Sequence, residues 1–473
     1  MTCFRILAAG LLAAVPLAAQ ETTDPFPDPI EAREGVILVD YQDFATLPDI
    51  DGEPARAMLL LDEPGTRRLF VNDMQGPIYT VGYDGGRVVE YLDISAAAWG
   101  VGVQSSGRER GVQSFALHPQ FGQAGTPGHG KLYTWTDVAA TDPAPDFVAG
   151  DGERDSHDTV LLEWTARAPG GATYDGGPPR ELLRVQQPYA NHNGGRISFN
   201  PLAGPNDADY GLLYVGIADG GSGGDPMNQA QDHGSAFGKI LRIDPLGSNS
   251  ANGQYGIPAT NPFVRGGPAG ALGEVYALGV RNPQHFAWDP ANGRMYMTDI
   301  GQNIVEEMSP VSAGANLGWN VWEGSFRYAG RAGVSTAAQR GDAAMTYPVA
   351  EYDHRDPILV GRAAAAGLHV YRSTAIPQLT GRILFGDLPS GEIFHVSAAD
   401  PPAGGQEPVR RVLLRHEGQA ATLLEVIRSR NAQQGREPAS RVDLRMGPGP
   451  DGQVFLLNKS DGVIRRLVPS GGG

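Results

Sequence analysis

The sequence predicts an all-β protein, a six-bladed β-propeller of four-stranded antiparallel blades. Three observations predict it. One motif recurs along the whole chain. Glycine (65) and proline (37) are abundant without being periodic. The 473 residues also exceed what one ordinary hydrophobic core organises, a limit that repeat architectures escape because each unit buries its face on its neighbours. The motif is an apolar run, an Asp or Asn, a glycine turn and a second alternating run. It reads "LFVNDMQGPIYTV" at 69–81, "ILFGDLPSGEIFHV" at 383–396 and "VFLLNKSDGVIRRL" at 454–467. Related starts at Leu132-Tyr133, Leu213-Tyr214 and Met295-Tyr296 each precede a Thr-Asp or Ala-Asp pair.

Each core reads as a hairpin, because apolar residues alternate on both sides of a Gly/Asp/Asn turn. A lone hairpin cannot bury both faces. Radial stacking of short antiparallel sheets buries them and leaves few open edges, whereas a β-sandwich with insertions leaves the recurrence unexplained. The six cores stand about 60–90 residues apart, against ~40–50 in the commonest propeller repeats, so long inter-strand loops are expected. Such loops gather at one end of the channel, and that end should carry the site. Residues 220–235 and 324–341 are the candidates.

The ends of the chain read differently. Arg5 and the apolar stretch 6–17, followed by small residues, predict a signal peptide over 1–19, too short to span a bilayer. An irregular arm follows over 20–35, then the propeller over 36–468 and a flexible tail over 469–473. The expected location is periplasmic or secreted. The sole cysteine, Cys3, lies in the predicted signal peptide, which excludes disulfides and thiolate metal sites from the mature chain. A formal charge of −16 argues against a nucleic-acid partner and an anionic membrane surface. No other run is apolar enough for a membrane span. A monomer and a homodimer fit the composition equally.

Four stretches carry candidate chemistry. In "NHNGGRISFN" (191–200), His192 can accept a proton from an alcohol near neutral pH; a hydrogen-bonding loop histidine is the alternative. Asp219, at the end of the apolar run in "YVGIADGG", can orient and charge-balance that imidazole, or it is a turn Asp like those in the other cores. Arg281-Asn282 in "ALGVRNPQHFAWDP" places a guanidinium where it can hold an anionic or quinone oxygen; a salt bridge between blades fits equally. "MTDIGQNIVEEMSPV" (297–311) offers Asp299, Glu306, Glu307 and exposed carbonyls, the ligands of a hard cation, outside the twelve-residue helix-loop-helix calcium pattern. No nucleotide-binding glycine fingerprint, zinc-binding histidine cluster or nucleophile elbow is present.

Taken together, the chain over roughly 35–467 resembles the glucose/sorbosone dehydrogenase family of soluble, pyrroloquinoline quinone-dependent aldose sugar dehydrogenases. The resemblance is carried by "RGVQSFALHPQF", "HNGGRISFNP", "LYVGIADGG" with "FGKILRIDP", "VYALGVRNPQHFAWDP" and "DIGQNIVEEMSPVSAGANLGWN", in that order. It implies pyrroloquinoline quinone (PQQ) and Ca2+ as cofactors and an aldose or related polyol as substrate. His192 would be the general base, polarised by Asp219, with the glycines beside it leaving room for a flat ring. Arg281 and Asn282 would contact the quinone oxygens, and Glu109 would lie near the ring system. Arg441 and Arg445 would face the cofactor carboxylates. Carbonyls of Gly301 and Gln302 would bind calcium, with Gln302 standing where the family has a proline. A cofactor-binding lysine of the family is absent from the fifth core, where Pro389 or Ser390 stands. No Cys-x-x-Cys-His haem site occurs, so a separate electron acceptor is expected. The competing readings are a non-catalytic propeller that binds a glycan or protein at its channel mouth, and a calcium-dependent lactonase-type hydrolase.

Overall fold

The computed structural model describes residues 21–63, 65–141, 143–150 and 156–471. The predicted signal peptide and the last two residues of the predicted tail lie outside them. The chain is nearly all β and propeller-like. Four four-stranded antiparallel sheets follow one another: 57–93, 112–187, 197–278 and 283–353. A nine-stranded sheet then holds two further four-stranded units. One is 365–416; the other combines Arg445–Pro448, Val454–Leu457 and Val463–Val468 with Ile37–Thr46 from the start of the chain. Each recurring sequence core begins in the second strand of a unit, as at Arg68–Asp73, Leu213–Ile217 and Arg382–Asp387, and the full cores turn back into the third, as at Pro77–Gly82 and Ile393–Ser397.

Ile37–Thr46 closes the assembly by serving two partners. Ile37 to Val39 run parallel to Val412 to Leu414. From Asp40 onward the same strand pairs antiparallel with Val463–Val468, through an irregularity between Asp43 and Ala45. The amide and carbonyl rows of both partners are thereby covered, which removes two edges. The predicted arm is also not wholly irregular: Glu21 and Thr22 pair with Ser335 and Val334. Part of the predicted loop 324–341 is likewise strand, because 322–335 folds back into that small extra sheet.

The apolar core lies between sheets. Tyr133, Trp135 and Leu183 of the second sheet pack with Ile197, Leu213 and Leu241 of the third. Tyr214 and Ile240 of the third meet Phe286 and Met297 of the fourth. Phe455 and Ile464 of the last unit meet Leu60 and Val71 of the first. These side chains are almost wholly buried, and each contributes about 1.5–3 kcal/mol of apolar transfer free energy. One helix departs from the all-β expectation. Leu423–Gln433 connects the last two units and is started by a capping box, in which Thr422 accepts the Glu425 N–H and Glu425 accepts the Thr422 N–H.

The recurring Asp is a fold device in most units. Buried at the end of a second strand, it accepts N–H bonds from the chain entering the first strand of the same unit. Asp73 takes the Arg56 amide at 2.9 Å, Asp137 the Gly111 amide at 2.9 Å, and Asp387 the Ala364 amide at 2.8 Å. Asp299 takes two, from Arg281 at 2.8 Å and Asn282 at 2.6 Å. A buried acceptor with several donors fixes where each unit begins. The extra sheet does the same for the 302–305 turn: one Glu323 carboxylate oxygen accepts the amides of Gln302, Asn303, Ile304 and Val305 at 2.9–3.1 Å.

Two outcomes follow from these carboxylates. Burial pushes the Asp387 carboxyl up to about 6 against its Ser390 and Ala364 donors. A raised folded-state value means that the charged form costs stability once pH exceeds the unfolded value near 3.8, and fully so above about 6. Asp387→Asn cannot charge, so its stability relative to the wild type should rise between pH 4 and 7 in urea titrations; a flat difference would contradict this. Glu323→Ala should speed amide hydrogen exchange at 302–305 by at least about 100-fold, since four donors lose one acceptor. Unchanged protection there would assign those amides another partner.

Candidate active site

The loop 188–196 joins Arg180–Gln187 to Ile197–Phe199, and its geometry is set by glycine and by one strained residue. His192 has φ +59°, left-handed for a residue with a Cβ. Its N–H donates to the Glu109 carboxylate at 2.8 Å, an anion-assisted bond that holds this conformation. Gly194, which lines the cavity, and Gly195 are also required by the protein's own packing. A Cβ on Gly194 would sit 2.3 Å from Trp135 Nε1, and one on Gly195 would sit 1.5 Å from the Pro283 carbonyl oxygen.

Asp219 is the exception among the recurring acids. In place of an incoming backbone amide it meets His192 Nδ1, 2.6 Å from Oδ1. The same oxygen accepts the Gly221 amide at 3.0 Å, and Oδ2 accepts Trp319 Nε1–H at 2.9 Å. Asp219 is 3% exposed. Burial raises its carboxyl, but His192, Arg281 and the Gly221 amide outweigh burial and hold it below the usual carboxylate range. It therefore stays anionic and fixes the imidazole orientation. Among the described residues no hydrogen bond engages His192 Nε2, and His192 lines a cavity of about 560 Å³.

Arg281 and Asn282 enter the same cavity from the link between the third and fourth sheets. The Arg281 guanidinium donates to the Ile300 carbonyl at 2.7 Å and to Gln302 Oε1 at 3.3 Å, and lies 5.5 Å from the Trp319 ring centroid, a cation–π contact. No carboxylate among the described residues reaches it within ion-pair distance, so the expected alternative of an interblade salt bridge is not what holds it. Asn282 Oδ1 accepts from Gln284 Nε2 at 2.9 Å, and Gln284 Oε1 accepts from Arg445 at 3.0 Å.

The sequence-predicted residues converge. Glu109, His192, Arg281, Asn282, Gly301, Gln302, Arg441 and Arg445 all line this cavity, with Asp219 behind His192. Pro389 lines it too, beside Leu388. Ser390 turns inward to Asp387. Asp299, Glu306 and Glu307 are not cavity residues. Asp299 pins the Arg281 and Asn282 amides, and burial pushes its carboxyl up to about 7. Glu306 contacts His354 Nε2 at 2.6 Å and accepts the Ala365 amide. Burial and the nearby Asp299 raise Glu307 well above the carboxylate range. Both faces of the fourth sheet are covered here, so these acids are buried, and none of their carboxylates lines the cavity. Among the described residues no group of three His, Cys, Asp or Glu gathers as a metal site. A calcium ion here would rest on backbone oxygens, and no described hydrogen bond occupies the carbonyls of Gly301 and Gln302.

Two residues were missed at the sequence level. Trp319 sits in the 312–321 link and ties Asp219 to Arg281; its signal was its place near the end of the "DIGQNIVEEMSPVSAGANLGWN" stretch that carries the family resemblance. Lys459 lines the cavity from the last repeat core. Its signal was present, since it follows Asn458 as Leu388 follows Asp387.

The chain matches the glucose/sorbosone dehydrogenase family over residues 65–464. It is 29% identical over 360 residues to the HIPL1 protein of Arabidopsis thaliana, covering 68% of this chain and 50% of that one, and 28% identical to the HIPL2 protein, covering 54% of it. It thus spans about half the length of these relatives. It is 28% identical over 282 residues to the aldose sugar dehydrogenase YliI of Escherichia coli, covering 59% of this chain and 60% of that one. Among solved structures, the E. coli soluble aldose sugar dehydrogenase in its apo form superposes with a TM-score of 0.60 at 18% identity, over 88% of this chain and 96% of that one. The PQQ-bound aldose sugar dehydrogenase of Streptomyces coelicolor superposes with a TM-score of 0.55 at 20% identity, over 89% and 97%. The likeness to these structures is one of fold. With the family pattern running through all the sheets that build the cavity, this chain belongs to the glucose/sorbosone dehydrogenase family.

Proposed function

We propose that the chain is a six-bladed propeller quinoprotein, exported to the periplasm or beyond, that oxidises an aldose or related polyol to the lactone. The observation that carries this is the His192–Asp219 pair: Nδ1 held by a buried anion, Nε2 left to the cavity. PQQ, when bound, would supply a two-electron acceptor for the hydride leaving the anomeric carbon. His192 Nε2 takes the proton of the anomeric hydroxyl as the C–H bond breaks and the C=O bond forms. Asp219 holds the ring orientation and balances the charge it gains. Arg281 and Asn282 present donors to an acceptor oxygen.

The residues present fit such a cofactor. A cavity of about 560 Å³ lies within the range of cofactor sites. Arg281 and Arg445 line it with no carboxylate partner in ion-pair distance among the described residues, which suits a planar tricarboxylate. Calcium would sit at the free carbonyls of Gly301 and Gln302. The names of the E. coli and S. coelicolor relatives support the same reaction and cofactor. No helix among the described residues is long and apolar enough to cross a membrane, and a separate carrier, not this chain, would remove the electrons.

The test is dye reduction by the mature chain with calcium, PQQ and a panel of aldoses. Turnover that needs the cofactor is expected. If added PQQ neither binds nor supports turnover, the reading fails; sugar binding without turnover would point to a non-catalytic channel-mouth binder, and lactone hydrolysis without cofactor to a hydrolase. His192→Ala should lower turnover by about 10²–10⁴, the share of a positioned general base, with some loss of melting temperature because Asp219 loses a buried partner. A large melting loss with intact turnover would make His192 structural.

A further inference from the structure

We propose that Lys459 is the central cation of a polycarboxylate site on the far wall of the cavity, standing in for the lysine missing from the fifth repeat core. The inference rests on the quinoprotein reading for its natural occupant, PQQ. Its own support is geometric. Met74, Leu388 and Lys459 each follow the Asp or Asn at, or one residue past, the end of a second strand, in "VNDMQG", "FGDLPSG" and "LLNKSDG". Leu388 and Lys459 both line the cavity. Leu388 and Lys459 thus hold equivalent positions facing one space, one residue before the place in the fifth core where the family lysine would stand, and Pro389 at that place lines the same cavity.

Lys459 Nζ donates to the Arg108 carbonyl at 2.8 Å and to Met74 Sδ at 3.3 Å. No described carboxylate lies within ion-pair distance of it. Arg445, 4% exposed, is in the same condition, donating to the Leu444 carbonyl and to Gln284 Oε1, each at 3.0 Å. Two other cavity arginines differ: Arg441 and Arg108 share Asp443, with Arg108 at 3.1 Å. The wall therefore holds two basic side chains with no described carboxylate in ion-pair distance, and an anionic ligand would favour the charged form of both.

Burial, then the Arg445 cation and Arg56, press Lys459 down to about 7, while Asp443 and Glu109 oppose them. Burial also lowers Arg445, to about 10. A bound carboxylate reverses the pressure on Lys459, so binding at pH 7.5 draws a proton onto it.

The experiment is calorimetric titration of the calcium-loaded full chain with PQQ at pH 7.5, in two buffers of different ionisation enthalpy. The wild type should bind with uptake of part of a proton. Lys459→Met should bind about ten- to a hundredfold more weakly, the loss of a charge-assisted bond, without that uptake and with an equal or higher melting temperature. Lys459→Arg should keep most of the affinity but not the uptake. Wild-type affinity and uptake in Lys459→Met would overturn the proposal. If the wild type takes up no PQQ, the quinoprotein reading falls separately, and the same titration is made with citrate. Citrate binding lost in Lys459→Met supports the polycarboxylate site; no citrate binding to the wild type overturns it.

Discussion

The structure of the site depends on one contact, Asp219 against His192 Nδ1 at 2.6 Å. Burying a carboxylate is costly unless its lone pairs are met. Here an imidazole, a backbone amide and the Trp319 indole meet them. The left-handed turn at His192 is tolerable because Glu109 accepts its amide. Trp319, brought in by the long insertion of the fourth unit, closes the acid from above and carries Arg281 on its face. Remove the contact, and the imidazole has neither a fixed ring direction nor a counter-charge.

The same residue type does two jobs in this fold. Asp73, Asp137, Asp299 and Asp387 bind the backbone at the start of a first strand. Asp219 is spared that duty. Its own N–H donates to the Arg281 carbonyl, while its side chain turns to the base. Repetition thus supplies a buried acid at a fixed place in five of the six units, with Asn458 in the last, and the third unit uses it for chemistry. The two readings of Asp219 left open by the sequence, turn residue and base-orienting acid, are both descriptions of one repeated position.

The six repeat cores were legible because local alternation and a glycine turn write them into each stretch. The closing strand was not, since Ile37–Thr46 finds its partners about 370–430 residues away, and no local pattern states a pairing at that distance. The helix at 423–433 had a legible start in Thr422-x-x-Glu425, which the search for strands passed over. Most candidate site residues were legible through family resemblance and converge on one cavity. The acids of 297–311 could not be placed from sequence because both faces of Val305–Val311 are covered, so the adjacent Glu306 and Glu307, on opposite faces, are both buried. Lys459 was passed over because a charged residue in a turn ordinarily faces water, whereas here the turn faces the channel. A chain of net charge −16 accordingly keeps its cations where an anion would sit.

The central claim is that Asp219 serves the base and not the fold. Its most direct test is steady-state turnover and PQQ affinity of Asp219→Asn, measured on the same preparation. The account predicts turnover reduced by about 10⁴, as when the acid of a base-orienting pair is neutralised, with cofactor affinity and melting temperature close to wild type. Turnover near the wild-type rate, or a chain that no longer folds, would contradict it.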